Sequence, residues 1–342
     1  MLRNYWYVGL KSRSLRRSPV SFELQGRKWV AWRDAAGAPQ VVEDRCPHRR
    51  VPLSLGRVEQ GRLQCGYHGW EFDGQGSCAH VPSRRGAGRV CIDALPAVER
   101  HGYVWVWTGQ PTQADPSRIV DIPELHDKRF ACTRITLSVA CDSRLSIENL
   151  LGPQHVNFAH AGWTGSRNGL DGGWTLGVED LPDEGLRYTW VLEDHKPSLV
   201  ERVTGWAPRG ARQSTIVGEY HPPDLMWLTG PGFEGGPIPQ PIYMWSVPTR
   251  PGHCRLEIMQ CRTILVNRAL NPLIMGVMHV LFRQDLGLLQ AQEAAYAREA
   301  GTAFKPEVPE PADKALNHYR VLRQRLLERE GLPVVDRTRP VG

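Results

Sequence analysis

The sequence has no long apolar run, no secretory leader and no concentrated charge of one sign. No window is apolar enough to predict a membrane-spanning helix, and residues 1–10 are aromatic and strand-like rather than basic and then uniformly apolar. The formal net charge of +6 is spread over 342 residues without an arginine-rich arm, which argues against a nucleic-acid-binding protein. We therefore predict a cytoplasmic protein with no membrane and no nucleic acid among its partners.

Cysteine is scarce, and the fingerprints of nucleotide cofactors are missing. The eight cysteines are expected to be metal ligands or buried thiols before disulfides, because disulfides are rare inside cells. The chain carries no glycine-rich motif for a flavin or a nicotinamide. Any redox chemistry of this protein therefore needs an external electron donor.

Glycine and proline are plentiful, at 34 and 27 residues, and they favour short strands and turns. Residues 5–109 keep to this pattern. Residues 73–76 read Asp-Gly-Gln-Gly, a hairpin signal, and residues 103–107 read Tyr-Val-Trp-Val-Trp, which strongly favours a strand. The N-terminal part is therefore predicted to be all-β.

A segment rich in Pro, Asp, Thr and Ser, residues 110–123, predicts a connection between two domains, which we place at 1–115 and 116–342. The second domain is predicted to be α+β, with a mostly antiparallel sheet and helices packed on it. Strands are predicted at residues 130–139 and within 176–260 of this domain, and helices at 144–160, 265–299 and 314–329. A glycine-rich loop is predicted at 162–173.

Two pairs of metal-binding side chains occur in the N-terminal part: Cys46 with His48 and, after sixteen intervening residues, Cys65 with His68. Two thiolates and two imidazoles suit a tetrahedral zinc ion or a Rieske two-iron, two-sulfur cluster. One Cys and one His from each of two loops favours the cluster, because zinc fingers more often pair like with like. A zinc-stabilised binding module remains the alternative.

A second candidate site consists of His155, His160 and Asp285. Histidines five residues apart do not share a face of an ideal helix, but they can converge if His160 lies where the helix ends. Asp285 falls within a long apolar helix, where a carboxylate is costly unless it is paired or bound to metal. Two histidines and one carboxylate suit a non-haem Fe(II) site; unrelated polar positions and an exposed aspartate are the alternatives.

The motifs Cys46-Pro47-His48-Arg49 and Cys65-Gly66-Tyr67-His68-Gly69-Trp70 resemble those of Rieske non-haem iron oxygenase α (terminal oxygenase) subunits. The resemblance extends to residues 4–8 and 103–107, covers nearly the whole chain and is closest to the dicamba and vanillate O-demethylase type. It implies a Rieske domain followed by a helix-grip-like catalytic domain. Gly66 stands where these proteins commonly have proline.

The resemblance also implies the cofactors and their ligands. Cys46, His48, Cys65 and His68 would hold a [2Fe-2S] Rieske cluster, and His155, His160 and Asp285 would hold a mononuclear Fe(II). The implied activity is a monooxygenase that hydroxylates or oxidatively demethylates a small organic substrate, aromatic or heterocyclic, with O2. The implied partners are a ferredoxin or flavin reductase as electron donor and further copies of the chain in a head-to-tail homotrimer.

One position departs from the family pattern. The family usually has an aspartate three residues before the first iron histidine, where it bridges to the cluster histidine of a neighbouring subunit; here Gly152 occupies it. We expect Glu148 or Asn149 to provide a substitute bridge, with a water-mediated bridge as the alternative. Without the aspartate, we expect His155 and His68 to lack the partner that fixes ring orientation. The departure also supports an alternative function, a Rieske electron-transfer or sensory protein without oxygenase coupling.

Two further groups of residues are candidates for binding roles. A basic group near the cluster loops is predicted to dock an acidic electron donor, with a solvated surface patch as the alternative. Tryptophans of the second half are candidates for core or pocket positions, and His195 and His221 could orient a substrate, although structural roles are commoner. The basic group consists of Arg45, Arg49, Arg50, Arg84 and Arg85. The tryptophans are Trp163, Trp174, Trp190, Trp206, Trp227 and Trp245.

Overall fold

Short antiparallel strands make up the N-terminal part of the chain in the computed structural model. The structure describes residues 1–84, 86, 89–160, 173–193, 207–210, 212–230, 232–234, 236, 240–299 and 307–333. It divides into an N-terminal unit, Met1–Ile122 with Val247–Pro251, and a C-terminal unit, Pro123–Ser246 with Gly252–Gly342. The domain boundary predicted from the sequence was placed at residues 115 and 116.

The strands of the N-terminal unit form small sheets in the orders β1-β11-β10, β2-β3-β4-β9 and β5-β6-β7-β8. Their bounds are β1 Trp6–Lys11, β2 Val20–Leu24, β3 Arg27–Arg33, β4 Pro39–Glu43, β5 Arg57–Glu59, β6 Arg62–Gln64, β7 Glu71–Phe72, β8 Cys78–His80, β9 Ala94–Leu95, β10 Ala97–Arg100 and β11 Tyr103–Trp107. The all-β prediction is confirmed.

Both local predictions for this unit hold. Strand β11 is buried at every residue because it pairs with a strand on each side, β1 and β10. The predicted hairpin joins β7 to β8, and its Gly76 has a φ of 78°, a conformation that glycine adopts without steric cost. Residues 110–123, predicted to connect the domains, contain short 3₁₀ turns, Pro111–Gln113 and Pro116–Arg118.

The C-terminal unit is built on one antiparallel sheet with the order β12-β19-β18-β16-β15-β14-β13, in which β17 also pairs with β15. The strand bounds are β12 Ala131–Val139, β13 Trp174–Asp180, β14 Leu186–Leu192, β15 Ser214–His221, β16 Leu225–Thr229, β17 Gly232–Phe233, β18 Pro241–Arg250 and β19 His253–Arg262. Strand β12 alternates buried and less buried residues along its length, as expected for a sheet covered on one face.

Helices cover this sheet, and their bounds are α1 Ser143–Leu151, α2 Val156–Ala159, α3 Asn271–Glu299 and α4 Lys314–Arg329. Residues of α1 and α3 pack with those of β12, β18 and β19 in one apolar cluster that includes Leu145, Met278 and Leu289. A second cluster joins α1 and α4 to β14–β16 through Ile147 and Tyr319. The α+β prediction is confirmed. No helix among the described residues has the length and apolar character needed to cross a membrane.

One prediction about cysteine is wrong. Cys132 and Cys261 are direct partners on the paired strands β12 and β19, with 4.2 Å between their Cα atoms, and form a disulfide. The other six cysteines are free thiols in the structure. Because the two disulfide cysteines are separated by 129 residues, the pairing follows from strand register and has no signal in the local sequence.

Candidate active site

Two loops of the N-terminal unit carry the predicted cluster ligands and share one backbone pattern. The first lies between β4 and β5, where Cys46 N–H donates to Val51 O and Arg50 N–H donates to Cys46 O. The second lies between β6 and β7, where Cys65 N–H donates to Trp70 O and Gly69 N–H donates to Cys65 O. Each loop therefore closes on its cysteine in the same way.

The two loops bring their side chains together. Cys46 and Cys65 lie in the same buried apolar cluster, and the rings of His48 and His68 are 4.6 Å apart. Both cysteines are 2% exposed, whereas both histidines are exposed. The four donors thus form one group with its thiols inside and its imidazoles at the surface.

The donor set fits a metal cluster. Burial raises the pKa of the Cys46 thiol to about 11, and the adjacent Cys65 adds to this. A buried thiol such as Cys46 ionises readily only beside a positive charge, and bound iron would supply that charge. Burial also lowers the pKa of His48, as do His68 and Arg49, which keeps the imidazole neutral for ligation.

Residues around the second loop explain its sequence. The Trp70 ring stacks on the His48 ring, with centroids 5.0 Å apart and planes at 5°. Gly69 has a φ of 71°, in the left-handed region that favours glycine. A Cβ atom at Gly66 would lie 2.9 Å from Leu55 O, so glycine suits this position.

In the C-terminal unit, the predicted 144–160 helix is interrupted. Helix α1 begins after Asp142, whose side chain accepts a hydrogen bond from Arg144 N–H, and it ends at Leu151. Gly152-Pro153 then breaks the helix, because proline cannot donate to the preceding turn, and a 3₁₀ turn leads into α2. His160 follows α2, and the break brings its ring to 5.6 Å from that of His155.

Asp285 of α3 completes the group, in which one ligand atom from each of the three side chains lies within 4.8 Å of the others. Its Oδ1 atom is 3.2 Å from His160 Nε2 and 3.7 Å from His155 Nε2. Ligand atoms at about 2.1 Å from one metal and at right angles are about 3 Å apart, so the spacing suits a shared ion. Asp285 Oδ1 is buried and accepts no hydrogen bond from any residue that the structure describes.

The other nitrogen of each histidine is already engaged. His155 Nδ1 lies 2.6 Å from the main-chain oxygen of Gly152, and His160 Nδ1 lies 2.8 Å from Gln284 Oε1. The expectation that His155 lacks an orienting partner is therefore wrong, because the backbone of Gly152 itself provides one. Both Nε2 atoms are left facing Asp285.

The electrostatics of this group also fit a cation. Burial lowers the pKa of His155, although the Asp285 carboxylate opposes the shift. Burial acts on His160 in the same direction, but contacts with Asp285 and Gln284 outweigh it and raise the pKa of His160. A buried carboxylate oxygen without a donor and two oriented imidazoles are the donor set of a facial two-histidine, one-carboxylate metal site.

The two residues expected to replace the missing bridge differ in their surroundings. Glu148 is 4% exposed, and both its oxygens accept hydrogen bonds from Arg320, at 3.1 and 2.7 Å. Arg144 approaches the same carboxylate at 3.4 Å. Asn149 is half-buried. The contacts of Glu148 within its own chain leave Asn149 as the better candidate.

The remaining predicted residues are distributed as follows. Arg45, Arg49, Arg50 and Arg84 are exposed, and Arg84 lies over the Trp70 ring at 5.6 Å. His221 is held by two carboxylates, in a structural ion-pair cluster. Trp190 and Trp245 are buried, and Trp174 and Trp227 are half-buried. Arg85, Trp163, Trp206 and His195 lie outside the described residues.

Sequence reasoning missed Gln284 and the Gly152 carbonyl; the position of Gln284 next to Asp285 was the only available signal.

Comparison with known proteins agrees with this arrangement. Residues 5–97 match the Rieske [2Fe-2S] domain, and residues 139–329 match the vanillate O-demethylase oxygenase C-terminal domain. The chain is 28% identical to a putative toluene-4-sulfonate monooxygenase system iron-sulfur subunit of Comamonas testosteroni, over 96% of this chain and 98% of the relative.

Two other relatives match over shorter stretches. Identity is 36% to the vanillate O-demethylase oxygenase subunit of a Pseudomonas strain, over 48% of this chain and 47% of the relative. It is 40% to the chloroplastic chlorophyllide a oxygenase of Chlamydomonas reinhardtii, over 46% of this chain and 24% of the relative. The matched region is thus less than half the length of either relative.

The fold has a counterpart among solved structures. Dicamba monooxygenase bound to dicamba superimposes with a TM-score of 0.83 at 24% identity, covering 97% of this chain and 99% of the other. The C-terminal family match spans more than half of the present chain, and the Rieske match precedes it. The chain therefore belongs to the Rieske non-haem iron oxygenases, enzymes with a [2Fe-2S] cluster and a mononuclear iron, in the vanillate O-demethylase branch.

Proposed function

We propose that this chain is the terminal oxygenase component of a monooxygenase that hydroxylates or oxidatively demethylates a small aromatic or heterocyclic compound. The observation that carries the proposal is the convergence of His155, His160 and Asp285 in a buried group with an unsatisfied carboxylate oxygen. A protein that only carried electrons would not need this second donor set, so its presence disfavours the electron-transfer or sensory alternative.

We assign Cys46, His48, Cys65 and His68 as the cluster ligands and His155, His160 and Asp285 as the iron ligands. When bound, the cluster supplies single electrons and the iron supplies the position at which O2 is activated. The overall reaction consumes substrate, O2, two electrons and two protons, and yields hydroxylated substrate and water. A hydroxylated methyl group on oxygen or nitrogen breaks down to formaldehyde and the demethylated product.

The surroundings of Asp285 favour an apolar substrate. The neighbouring α3 side chains Met278, Phe282, Leu286 and Leu289 belong to the apolar cluster between helix and sheet. Ligand pockets are lined mainly by apolar groups, with a few polar groups that orient the ligand. We infer that this apolar packing keeps water away from Asp285 and favours an apolar substrate at the iron.

Electrons would enter at the exposed histidines of the cluster. The lack of flavin and nicotinamide fingerprints requires a separate ferredoxin or flavin reductase, and the exposed arginines beside the loops suit an acidic partner. We further propose a head-to-tail homotrimer, in which a ring of heterologous contacts lets the cluster of one subunit serve the iron of the next, with Asn149 at the contact. A cytoplasmic location agrees with this chemistry.

Metal analysis of single-site variants tests the two ligand assignments separately. The wild-type protein should contain three iron and two labile sulfide per chain, since each cluster holds two of each. Cys46→Ala and His68→Ala should lose the visible absorbance. His155→Ala, His160→Ala and Asp285→Ala should each keep the visible absorbance but lose one iron per chain and all turnover.

Turnover is measured as O2 uptake and formaldehyde release with a reductase and a panel of methoxy- and N-methyl-substituted aromatics. Stoichiometric zinc without sulfide would contradict the cluster assignment. Full activity in Asp285→Ala would show that another carboxylate is the ligand. Reducible cluster with no cluster-to-iron transfer, whatever the substrate, would favour the electron-transfer function instead.

A further inference from the structure

His160 faces two consecutive residues of α3, one at each of its ring nitrogens. Its Nδ1 lies 2.8 Å from Gln284 Oε1, and its Nε2 lies 3.2 Å from Asp285 Oδ1. Consecutive side chains of an α-helix diverge by about 100°, so the imidazole lies across the helix surface with one edge on each residue. His160 is 8% exposed, and water therefore competes little for these contacts.

We propose that Gln284 is a positioning residue that fixes the tautomer and the ring orientation of His160 for metal binding. The inference rests on the proposed function, in which His160 Nε2 is an iron ligand. A metal on Nε2 requires the imidazole proton on Nδ1. Gln284 Oε1 is the acceptor for that proton, so the amide commits the ring to the orientation that presents the Nε2 lone pair.

The hydrogen-bond acceptor for His160 Nδ1 is the uncharged side-chain amide of Gln284. The corresponding acceptor for His155 is also an uncharged carbonyl oxygen, that of Gly152. Asp285 is thus the one carboxylate in contact with either histidine among the described residues. Replacement of Gln284 by Glu would keep an acceptor and add a negative charge, whereas replacement by Met would keep the size and remove the acceptor. The two variants should therefore differ in how tightly they hold a cation.

Metal affinity provides a readout that does not depend on turnover. Protein with its cluster intact and its mononuclear iron removed is titrated with Co(II) in competition with a chelator, and the visible Co(II) bands are recorded. Gln284→Met should bind Co(II) about tenfold or more weakly, the usual effect of losing an outer partner of a metal-bound histidine, and its bands should shift. Gln284→Glu should bind at least as tightly as wild type. Gln290→Met, an exposed position on the same helix, is the control and should bind Co(II) as wild type does.

The outcomes separate this inference from the proposed function. Wild-type affinity and unchanged bands in Gln284→Met would overturn the role of Gln284 and leave the iron site standing. Failure of the wild-type protein to bind Co(II) at this site would refute the iron site and the role of Gln284 together. Cluster absorbance and circular dichroism report folding. If Gln284→Met does not fold, Gln284→Asn, whose amide is one methylene too short to reach His160, gives the same comparison.

Discussion

At the scale of single residues, His221 shows how the C-terminal unit uses charge away from the iron site. Its Nδ1 lies 2.5 Å from Asp183 Oδ2, and its Nε2 lies 2.9 Å from Glu219 Oε2. Burial lowers the pKa of His221, but the two carboxylates outweigh this and raise the pKa to about 9. The hydrogen bond from His221 is the largest cause of the lowered pKa of Glu219. The imidazole is therefore a half-buried cation at neutral pH.

This cluster predicts a pH dependence of stability. The folded-state pKa of about 9 exceeds the ordinary value of about 6.5, so the contribution of His221 is complete below about pH 6.5 and is lost as pH rises through about 9. The lowered pKa of Glu219 acts oppositely: its contribution is complete above the ordinary pKa of glutamate and is lost as pH falls through the lowered pKa. His221→Gln should lower the free energy of unfolding by about 2 kcal/mol near pH 6, and by less at pH 10.

Thermal or urea unfolding of wild type and variant between pH 5 and 10 measures the difference. His318→Gln is the matched control, because His318 also pairs with a carboxylate, Asp180, but both side chains are more exposed, at 38% and 70%. Exposed pairs contribute little. A constant difference between wild type and His221→Gln over this range would rule out His221 as the titrating group.

The candidate metal-binding residues could be singled out in the sequence, and the family resemblance joined them into two ligand sets, whereas their partners could not be predicted. Cysteine, histidine and a buried aspartate have few other uses in an apolar setting, so Cys46, Cys65 and Asp285 were notable from sequence alone. Glutamine and a main-chain carbonyl occur everywhere, and only the folded geometry shows that Gln284 and Gly152 face the histidines.

At the scale of elements, a buried ion pair joins α1 to α4. Glu148 of α1 accepts two hydrogen bonds from Arg320 of α4, and Arg320 also donates to Glu307, at 2.7 Å. Helix α1 leads directly into the turn that carries His155. Helix α4 therefore stabilises the segment that presents the two proposed iron-binding histidines, although it contributes no proposed ligand itself.

The ion pair predicts that Glu148→Gln destabilises the protein without blocking electron transfer. Loss of one partner of a buried pair leaves an uncompensated charge and costs about 3 kcal/mol, measurable as a lower urea midpoint. Single-turnover transfer from cluster to iron, measured below the unfolding range, should be unchanged in Glu148→Gln and slowed in Asn149→Ala.

Glu184→Gln serves as the stability control, since Glu184 pairs with Arg329 at a position where both side chains are at least 40% exposed; the expected cost is about 1 kcal/mol or less. Slow transfer in Glu148→Gln with an unchanged urea midpoint would instead support Glu148 as the intersubunit bridge.

Element bounds were predictable where the helical pattern had clear ends. The closing helix α4 has the predicted bounds, and β12 begins one residue after its predicted start. The 144–160 prediction failed because apolar periodicity continues through Gly152-Pro153, where the backbone leaves the helix. Helix α3 begins at Asn271 instead of the predicted residue 265. The residues before it form a 3₁₀ turn, which Asn267 caps by accepting a hydrogen bond from Ala269 N–H.

At the scale of the whole molecule, the net charge of +6 includes the exposed arginines beside the cluster histidines, and it predicts electrostatic steering of an acidic donor. The double variant Arg49→Glu/Arg50→Glu should slow cluster reduction several-fold at low ionic strength and less at about 0.5 M salt, where charges are screened within a few ångströms. Stopped-flow reduction by an acidic ferredoxin measures this.

Arg16→Glu/Arg17→Glu is the control, with the same charge change on exposed residues in the connection between β1 and β2. Equal slowing in both double variants would attribute the effect to net charge alone. Rates indifferent to both charge and salt would exclude a docking face at the cluster loops.

The all-β and α+β halves were predictable from composition and turn signals, but the division of the chain within the predicted linker depends on contacts distant in sequence.

The main-chain carbonyl of Gly152, which orients His155, determines what a substitution at position 152 does to the proposed iron site. Every residue type has a main-chain oxygen, so a substitution at position 152 leaves the acceptor that orients His155 in place. The φ there is −108°, outside the left-handed region that favours glycine, and an added Cβ would meet nothing closer than the Gln154 amide at 3.5 Å. A single nucleotide change turns a glycine codon into one for aspartate or glutamate. The carboxylate of the family pattern is therefore one mutational step away, and a lineage could gain or lose it without passing through a disordered iron site.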